Sequence, residues 1–370
     1  MASKPRPEAD PRGAGGTPGA RGLSVVMPTW NGAPLLRESL PLIAAACEAA
    51  AVPYEIVVVD NGSEDETSEV LAALDAPSRC IRLDRNYGYA YTCNAGIREA
   101  RAKRVLLINN DILAPPHFLP PLLEWDRENL FAVGSVMVSR EEAFSQDAPA
   151  GAATSRRAQI GVPSHCCVLD RDRFLALGGF DLLFSPAMWE EMDLGARVWR
   201  SGGRIVTDPR SRVFHYTRAT VRRVFTYVEY ERIYHRHRLL FLWKHLPPRL
   251  LFRHLLLRLP LDCASDVLTR GGWVMTPALL GAIGRLGAPS PGAPRAAAAR
   301  ARYGMLPAIR GRRPTCCHGC ERACAPAPED GAQRRDGGLP GAGRARAAFL
   351  SRAARDVGNN SSRSAASRGE

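Results

Sequence analysis

Three short apolar segments of this chain each run directly into polar side chains, and this feature constrains the fold most. Residues 23–28 lead to Asn31, residues 55–59 lead to Asp60, and residues 104–108 lead to Asn109-Asn110-Asp111. Parallel strands present their carboxyl ends at one edge of a sheet, and open α/β sheets bind ligands at that edge. The sequence therefore predicts an open α/β sheet with a polar ligand site at its carboxyl edge.

Short β-branched segments alternate with longer segments rich in Ala, Leu and Glu between residues 23 and 140. This alternation is typical of a mostly parallel central sheet with helices on both faces. The predicted strands are 23–28, 55–60, 80–84, 104–109, 132–138, 204–208 and 212–216. The predicted helices are 34–50, 64–74, 90–102, 116–127 and one from Trp189 to about Ser201. Ser63 and Glu66 have the spacing of a capping box, which predicts a helix start at Ser63.

The remaining segments have distinct compositions. Residues 1–21 and 289–370 are rich in Pro, Gly, Ala and Arg, which predicts a disordered leader and a disordered tail. Residues 141–160 are polar and Ala-rich and predict a mobile loop. Residues 221–288 mix Arg with Phe, Leu, Tyr and Trp. This mixture is typical of basic amphipathic helices on an anionic membrane surface, or of helices that pack on the flank of the domain.

Composition excludes several classes of protein. The net charge is +13, but much of it lies in the Arg-rich tail, which has few aromatic residues to stack on bases. The chain therefore does not have the pattern of a specific nucleic-acid binder. The chain contains no stretch of about 18 uncharged apolar residues, so the sequence predicts no membrane-spanning helix. Cysteines that lie singly in apolar segments, such as Cys47, Cys93 and Cys263, favour a reducing, cytoplasmic setting.

A cysteine cluster in the tail has the ligand types of a zinc site. It consists of Cys316-Cys-His-Gly-Cys320 and Cys324. The paired CxxC elements of a structural zinc site are missing, and no apolar segment supports the cluster. The sequence therefore favours a tail without a structural zinc site.

Two groups of acidic residues suggest chemistry at the sheet edge. A diphosphate beside Asp60 and Asp111 would need a cation, and Mg²⁺ or Mn²⁺ takes oxygen ligands while keeping one or two protein ligands. His215 either adds a nitrogen ligand, which would favour Mn²⁺, or is a half-buried strand histidine. The acids of Glu190-Glu-Met-Asp193 either stabilise a helix start or place a general base in the cleft.

Six segments in order resemble the successive motifs of family 2 glycosyltransferases, in particular of the rhamnosyltransferase-like branch. They are Val25–Asn31, Glu55–Ser63, Asn86–Ala90 with Asn94–Ile97, Leu107–Asp111, Gly178–Asp181 and Glu190–Leu194. The resemblance covers about residues 22–245. It implies a GT-A catalytic domain at residues 22–220, with a nucleotide-binding half at 22–140 and an acceptor half at 161–220.

The resemblance also implies roles for individual residues on the donor side of the site. Pro28, Thr29 and Asn31 would line the nucleotide pocket, and Asp60 would bind the base or the ribose. Asn86 and Asn94 would border the nucleotide-sugar site.

The resemblance assigns the reacting side of the site as well. Asn109-Asn110-Asp111 stands at the position of the DxD motif, so Asp111 would hold Mg²⁺ or Mn²⁺ and the diphosphate, with His215 completing the metal site. Glu191 stands at the position of the catalytic base. The chain departs from the family pattern at Asn109, which replaces the first acid, and at Glu191, which replaces an Asp.

These assignments imply an inverting transferase that moves rhamnose or another hexose from a nucleotide-diphosphate donor to a glycan or lipid-linked acceptor. The implied location is the cytoplasm or the inner face of the cell membrane. Two alternatives stay open. Asn109, Glu191 and the unusual tail suggest a degenerate sugar-nucleotide-binding or scaffold protein. A nucleotidyltransferase would use a similar sheet, but it would carry a Gly- and Lys/Arg-rich loop that Pro28-Thr-Trp-Asn31 lacks.

Overall fold

The structure of the protein is a computed structural model. It describes residues 22–73, 76–125, 129–145, 155–216 and 224–287. The predicted leader and tail, with the cysteine cluster at 316–324, lie outside the described residues, and so does the middle of the predicted loop at 141–160.

The strands of the described part form one mixed sheet of nine strands. They are β1 (Leu23–Thr29), β2 (Tyr54–Asp60), β3 (Ser78–Arg82), β4 (Arg104–Ile108), β5 (Ile112–Leu113), β6 (Leu130–Met137), β7 (Arg157–Ala158), β8 (Cys166–Asp170) and β9 (Arg204–His215). The order in the sheet is β3-β2-β1-β4-β8-β6-β9-β5, and β7 pairs with β9. The central position of β1 and β4 brings their carboxyl ends to the middle of the sheet edge.

Strand direction divides the sheet into two parts. β1 to β4 are parallel to one another, as the alternation of elements predicts. β8 runs antiparallel to both β4 and β6, whereas β6 and β9 are parallel. The sheet is therefore parallel in its first half and mixed in its second, so the ends of β4 and β9 can meet at the site.

Helices cover both faces of this sheet. They are α1 (Ala33–Ala49), α2 (Thr67–Ala72), α3 (Tyr89–Glu99), α4 (Leu119–Leu123), α5 (Arg140–Phe144), α6 (Arg171–Ala176), α7 (Glu190–Arg200), α8 (Tyr227–His245), α9 (Pro248–Arg253), α10 (Leu259–Arg270) and α11 (Met275–Gly287). Alternate residues of each strand point to opposite faces. Val58 accordingly packs in the core under α1, whereas Val57 and Val59 pack in the core under α3. The predicted α/β class with helices on both faces is confirmed.

Several local predictions differ from the structure, among them the helix at 116–127, which is a 3-10 turn at Pro116–Phe118 followed by the short helix α4. The predicted capping box at Ser63 is wrong, because α2 begins at Thr67 and the Ser63 hydroxyl instead accepts the backbone N–H of Asn31. The predicted loop at 141–160 contains the end of α5, which Ser139 caps, and β7. The two predicted strands at 204–208 and 212–216 form the single strand β9, with an irregular register opposite Gly134.

The four helices after residue 226 form a layer beside α7. Leu239, Leu240 and Phe241 of α8 pack in a third apolar core with Trp189 and Met275. No helix of the described residues is long and apolar enough to cross a membrane. The layer completes a cavity at the carboxyl edge of the sheet.

Candidate functional site

A cavity of about 830 Å³ lies at the carboxyl ends of β1, β4 and β9. Its walls come from four parts of the chain: strand ends, the turn before α3, the start of α7, and the C-terminal helices. Residues that line it include Pro28, Thr29, Trp30, Asn61, Asn86, Tyr89, Asn109, Asn110, Asp111, Glu190, Glu191, His215, Tyr230 and Arg285. A volume of this size suits a ligand as large as a nucleotide with an attached group.

The end of β4 supplies a polar floor. Asn110 donates a hydrogen bond from Nδ2 to Thr29 Oγ1 (2.8 Å), which ties the ends of β4 and β1 together. Asn109 accepts a hydrogen bond at Oδ1 from the Tyr89 hydroxyl (2.9 Å). Both amides are therefore held by neighbouring side chains, and Asp111 follows them directly in the chain.

Asp111 and His215 form the one pair at this floor that suits a metal ion. The His215 Nε2 lies 3.1 Å from Asp111 Oδ1, and backbone pairing of β5 with β9 fixes the spacing because Ile112 lies opposite His215. Among the described residues, no group of three or more His, Cys, Asp and Glu side chains converges on one point. An ion here would therefore need oxygen atoms from a substrate, as Mg²⁺ and Mn²⁺ accept in phosphate-binding sites. The residues fit such an ion, and the imidazole ligand favours Mn²⁺.

An amide and aromatic wall stands beside this floor. Asn61 donates from Nδ2 to Asn86 Oδ1 (2.8 Å) and accepts the backbone N–H of Tyr87 at Oδ1 (2.9 Å). The Tyr87 ring stacks on Tyr91 with 4.6 Å between centroids, and the Arg85 guanidinium lies 4.8 Å from the Tyr87 ring centre. Stacked rings and oriented amides are the groups that recognise a flat heterocycle.

Two carboxyl groups, those of buried Glu190 and half-buried Glu191, face the cavity from the start of α7. Burial is the largest cause that raises the pKa of Glu191. Burial, followed by the charge of Glu191, raises the pKa of Glu190 well above its ordinary value. Glu190 Oε2 also has no hydrogen-bond partner among the described residues, so Glu190 holds its proton more strongly than Glu191 does. Glu191 is then the carboxylate of the pair that is available to accept a proton.

The third acid of this helix turn points away from the cavity. Asp193 lies within 2.7 Å of Arg197, Lys244 and His245 and is fully buried. Hydrogen bonding to His245 and the neighbouring cations hold the Asp193 pKa below its ordinary value despite burial. Asp193 therefore joins α7 to α8, as expected for acids about 100° apart around a helix.

A turn with unusual backbone geometry positions both glutamates. Met188 and Trp189 have φ values of +77° and +76°, a region that side chains rarely adopt. His237 of α8 stabilises this turn, because its Nδ1 lies 3.1 Å from the Ala187 carbonyl and 3.0 Å from the Met188 carbonyl. Burial lowers the His237 pKa to about 3, so the ring stays neutral at ordinary pH.

Three residues that the resemblance assigned to the nucleotide-sugar site do not line the cavity. Asn31 binds the Glu64 backbone N–H through Oδ1 (2.8 Å). Asp60 is fully buried and accepts hydrogen bonds from the Ser63 backbone N–H (2.8 Å) and from Arg82 (3.0 Å). The structure thus uses both side chains to hold the turn after β2, while the neighbouring Asn61 reaches the cavity.

Asn94 is the third of these residues, and it joins α3 to the Gly178-Gly-Phe-Asp181 turn. It donates from Nδ2 to the Phe180 carbonyl and accepts the Phe180 N–H at Oδ1, both at 2.8 Å. Gly179 is required there, because a Cβ would lie 2.5 Å from Asn94 Oδ1. The contacts of Asn94 are therefore with the protein backbone.

Replacing Asn94 by Ala should lower stability more than it lowers ligand affinity. The change leaves two buried backbone groups of Phe180 without partners, which costs about 1–3 kcal/mol for each group. We expect urea unfolding to show a loss of this order while nucleotide affinity changes less than about threefold. A variant of full stability with greatly reduced affinity would contradict the structural assignment.

The sequence did not single out Asn61, Tyr89 or Arg285. Asn61 could have been recognised from strand periodicity, since Val57 and Val59 face α3 and residue 61 follows in the same alternation. Tyr89 is adjacent to motif residues, but its contact with Asn109 depends on how α3 approaches β4. Arg285 lies on α11, and no sequence signal places that helix against the cavity.

Part of the chain is similar in sequence to known proteins. Residues 24–160 match the family model described as glycosyl transferase family 2. The undecaprenyl-phosphate 4-deoxy-4-formamido-L-arabinose transferase of Serratia proteamaculans is 33% identical over 126 residues, which are 33% of this chain and 39% of the relative. The enzyme of the same name from Pseudomonas paraeruginosa is 30% identical over 154 residues, 40% of this chain and 45% of the relative. The chain thus spans about two fifths of the length of these curated relatives.

Two solved structures are similar in fold at low sequence identity. A mannosyltransferase from Pyrobaculum calidifontis with GDP-Man and Mn²⁺ has a TM-score of 0.46 and 20% identity, covering 76% of this chain and 79% of its own. GalNAc-T7 with UDP, GalNAc and Mn²⁺ has a TM-score of 0.48 and 14% identity, covering 60% of this chain and 48% of its own. Both scores are below 0.5. The assignment to the rhamnosyltransferase-like branch stays a prediction.

Proposed function

We propose that residues 24–160, a glycosyl transferase family 2 domain, act with the elements up to α11 to transfer a sugar from a nucleotide-diphosphate donor to a lipid-linked acceptor. One observation carries the proposal. A single cavity places the Asp111–His215 pair and the Glu190–Glu191 pair on its walls. The first pair suits a cation with a diphosphate, and the second supplies a base of raised pKa.

In the proposed reaction the acceptor hydroxyl attacks the anomeric carbon of the donor sugar. Glu191 accepts the hydroxyl proton, a new C–O bond forms, and the bond from the anomeric carbon to the diphosphate breaks. The diphosphate leaves with the electron pair from the face opposite the attack, so the anomeric configuration inverts. Asn109, Asn110 and Tyr89 form the polar floor beneath the donor, and the wall of Asn61, Asn86 and Tyr87 holds its base.

Asp111 and His215 are the residues that would hold Mg²⁺ or Mn²⁺. When bound, such an ion neutralises the charge that develops on the leaving diphosphate. Asp111 also limits how the donor can bind, because a diphosphate beside an uncompensated carboxylate is repelled. Donor affinity should therefore depend on the divalent ion.

The lipid-linked acceptor is the acceptor class that the matched relatives support, since their names give undecaprenyl-phosphate as a substrate. The donor sugar and the nucleotide base are open to experiment. A panel of nucleotide sugars with Mn²⁺, scored by the rise in melting temperature, would find the donor, because a ligand that binds only the folded state raises stability. Transfer of that sugar to a hydroxyl of a glycan carried on a polyprenyl diphosphate supports the proposal. A chain that binds a donor yet neither transfers nor hydrolyses it would instead be a scaffold.

A large apolar surface on the C-terminal helices suggests where the protein works. Twelve large apolar side chains between residues 250 and 286 are well exposed: Leu250, Phe252, Leu255, Leu256, Leu257, Leu261, Val267, Leu268, Trp273, Leu280, Ile283 and Leu286. We call this set the helical apolar surface. Soluble proteins rarely expose so many neighbouring apolar groups without a partner.

Charge favours an anionic bilayer as the partner of this surface. Arg249 and Arg253 are exposed and have no carboxylate within 4.0 Å among the described residues. Of the nearby acids, Asp262 is paired with Arg238 and Arg258, and Asp266 is buried, where it accepts two backbone N–H groups. Two other partners for this surface fit less well than anionic lipid. Residues 288–370 of the same chain are Arg-rich, so they would be repelled by Arg249 and Arg253. A second copy of the chain would bring the same positive charges against each other.

The double variant Leu257→Glu with Leu268→Glu should lose membrane binding. Two leucines that insert into the bilayer contribute enough free energy that their loss should lower partitioning of the protein onto the membrane by at least tenfold, or ~1.4 kcal/mol. Flotation with liposomes that contain phosphatidylglycerol measures this, with Phe144→Glu on α5 as an exposed apolar control. Equal flotation of the double variant and the control would exclude the helical apolar surface as the docking site.

A further inference from the structure

Helix α11 has one side in the cavity and another on the helical apolar surface. Arg285 lines the cavity, whereas Leu280 and Ile283 are 66% and 53% exposed. At about 100° per residue, Leu280 and Ile283 lie roughly 140° and 160° around the helix from Arg285. A molecule anchored at the apolar surface would therefore find a cationic group on the opposite side of the same helix.

Arg285 has a second guanidinium beside it. Arg236 of α8 packs against α11, where a Cβ added to Gly281 would lie 3.1 Å from Arg236 Cδ. Arg236 donates from Nη2 to His237 Nε2 (3.2 Å), and Arg285 donates from Nη1 to the Leu183 carbonyl (2.9 Å). These contacts use a minority of the five N–H donors that each guanidinium carries.

This arginine pair has no counter-charge in the part of the chain that the structure describes. Among the described residues, no carboxylate lies within salt-bridge distance of Arg236 or Arg285, and Arg236 Nε has no hydrogen-bond partner. Burial, and then repulsion from Arg285, lowers the Arg236 pKa to about 10. Two partly buried like charges with spare donors cost free energy unless an anion joins them.

We propose that Arg236 and Arg285 form an anion site that binds a phosphate group of the acceptor lipid. The donor diphosphate would bind at the opposite wall, beside Asp111. A diphosphate next to that carboxylate needs a cation between them, whereas the arginines can bind an anion directly. Arg285 lines the cavity from α11, which also carries Leu280 and Ile283 of the helical apolar surface, so a lipid phosphate would reach the cavity side of this helix while its hydrocarbon stays on the bilayer side. Arg236 meets α11 from α8, outside the residues that line the cavity. This inference rests on the proposed function and adds the chemical group by which the acceptor is recognised.

The test is a binding measurement with a short anionic lipid and its uncharged counterpart. Geranyl phosphate, geraniol and inorganic phosphate are titrated into the full chain by calorimetry, below the concentration at which the lipid forms micelles. The variants are Arg236→Gln, Arg285→Gln and the charge-preserving Arg285→Lys. Arg98→Gln, on α3 outside the cavity, is the matched control.

We expect geranyl phosphate to bind at least tenfold more tightly than geraniol, and more tightly than inorganic phosphate. Each Gln variant should weaken geranyl phosphate binding by about 10- to 100-fold, the effect of charge-assisted hydrogen bonds. Arg285→Lys should retain much of the affinity, and Arg98→Gln all of it. Circular dichroism and Mn²⁺-dependent donor stabilisation should stay unchanged in the Gln variants, which separates lost binding from lost folding.

Two results would overturn the inference. The first is equal binding of geranyl phosphate and geraniol, or equal losses in Arg285→Gln and Arg98→Gln. The second is inorganic phosphate binding as tightly as geranyl phosphate, which would assign the site to a free anion. Failure of this inference leaves Mn²⁺-dependent donor binding intact, whereas failure of the proposed function would remove donor binding from the unaltered protein.

Discussion

Asp111→Asn should abolish Mn²⁺-dependent stabilisation by the donor and lower the rate of sugar transfer by about 10³-fold or more. The amide keeps the shape of the side chain but removes the charge that lies 3.1 Å from His215 Nε2. A divalent ion in this position contributes several kcal/mol to charge stabilisation, and each 1.36 kcal/mol changes the rate tenfold. Melting curves with and without Mn²⁺ and donor, followed by a transfer assay, measure both effects.

A matched control separates this effect from a general loss of carboxylate charge. Asp172→Asn changes a 64%-exposed acid on α6 that forms a surface ion pair with Arg171 at 3.6 Å. It should leave Mn²⁺-dependent stabilisation and transfer within about twofold of the unaltered protein, as expected for a surface ion pair. If Asp111→Asn behaved like Asp172→Asn, the metal site would have to lie elsewhere.

Glu191→Gln should lower the transfer rate by about 10²- to 10⁴-fold while donor affinity stays within a few fold. Gln has nearly the same shape but cannot accept the hydroxyl proton, so only general-base assistance is lost. Single-turnover transfer with saturating donor measures the chemical step, and donor-induced stabilisation measures binding. A Glu191→Gln variant with ordinary turnover would remove this residue from the role of base.

Glu190→Gln is the matched control for Glu191→Gln. Burial and the charge of Glu191 raise the pKa of Glu190 well above its ordinary value, so Glu190 holds its proton more strongly than Glu191 does. An amide resembles a protonated carboxyl, so we expect less than a tenfold change in transfer. A greater loss in Glu190→Gln than in Glu191→Gln would exchange the roles of the two residues.

The pH dependence of transfer follows from the same burial. The Glu191 pKa is raised from its ordinary value of 4.5, so the carboxylate is present only above that raised pKa. The rate should therefore fall as pH decreases towards the raised pKa, and Glu191→Gln should remove this limb of the profile. The stability of the folded state changes with pH in the opposite direction to the transfer rate. A raised carboxyl pKa favours the folded state at low pH, and this stabilisation is lost as pH rises through the folded-state pKa.

Much of the sheet could be predicted because hydrophobic periodicity determines it locally. Residues 55–60 and 104–109 are apolar on both faces, as a central strand needs, and they form β2 and β4 with at most one residue of difference. The direction of β8 could not be predicted, since Cys166–Asp170 has the composition of a buried strand in either orientation. The role of Ser63 could not be predicted locally either, because its hydroxyl accepts a hydrogen bond from the Asn31 backbone N–H, in a distant part of the chain.

The candidate site was predictable where a motif follows a strand directly, and less so elsewhere. Asp111 and Glu191 line the cavity because strand and helix ends fix their positions. Asp60 occupies the face of β2 opposite to Asn61, and motif order alone does not distinguish the two. The Arg236–Arg285 pair depends on how α8 and α11 pack, which arises from tertiary contacts that no local pattern encodes.

A crystal structure of the protein with its nucleotide-sugar donor and Mn²⁺ would test the proposed site most directly. We expect the ion at bonding distance from Asp111 and His215 Nε2, with both phosphates of the donor on the ion. The anomeric carbon would then face Glu191 across the cavity. A diphosphate bound away from Asp111, or a Glu191 side chain that points out of the donor cavity, would contradict the account.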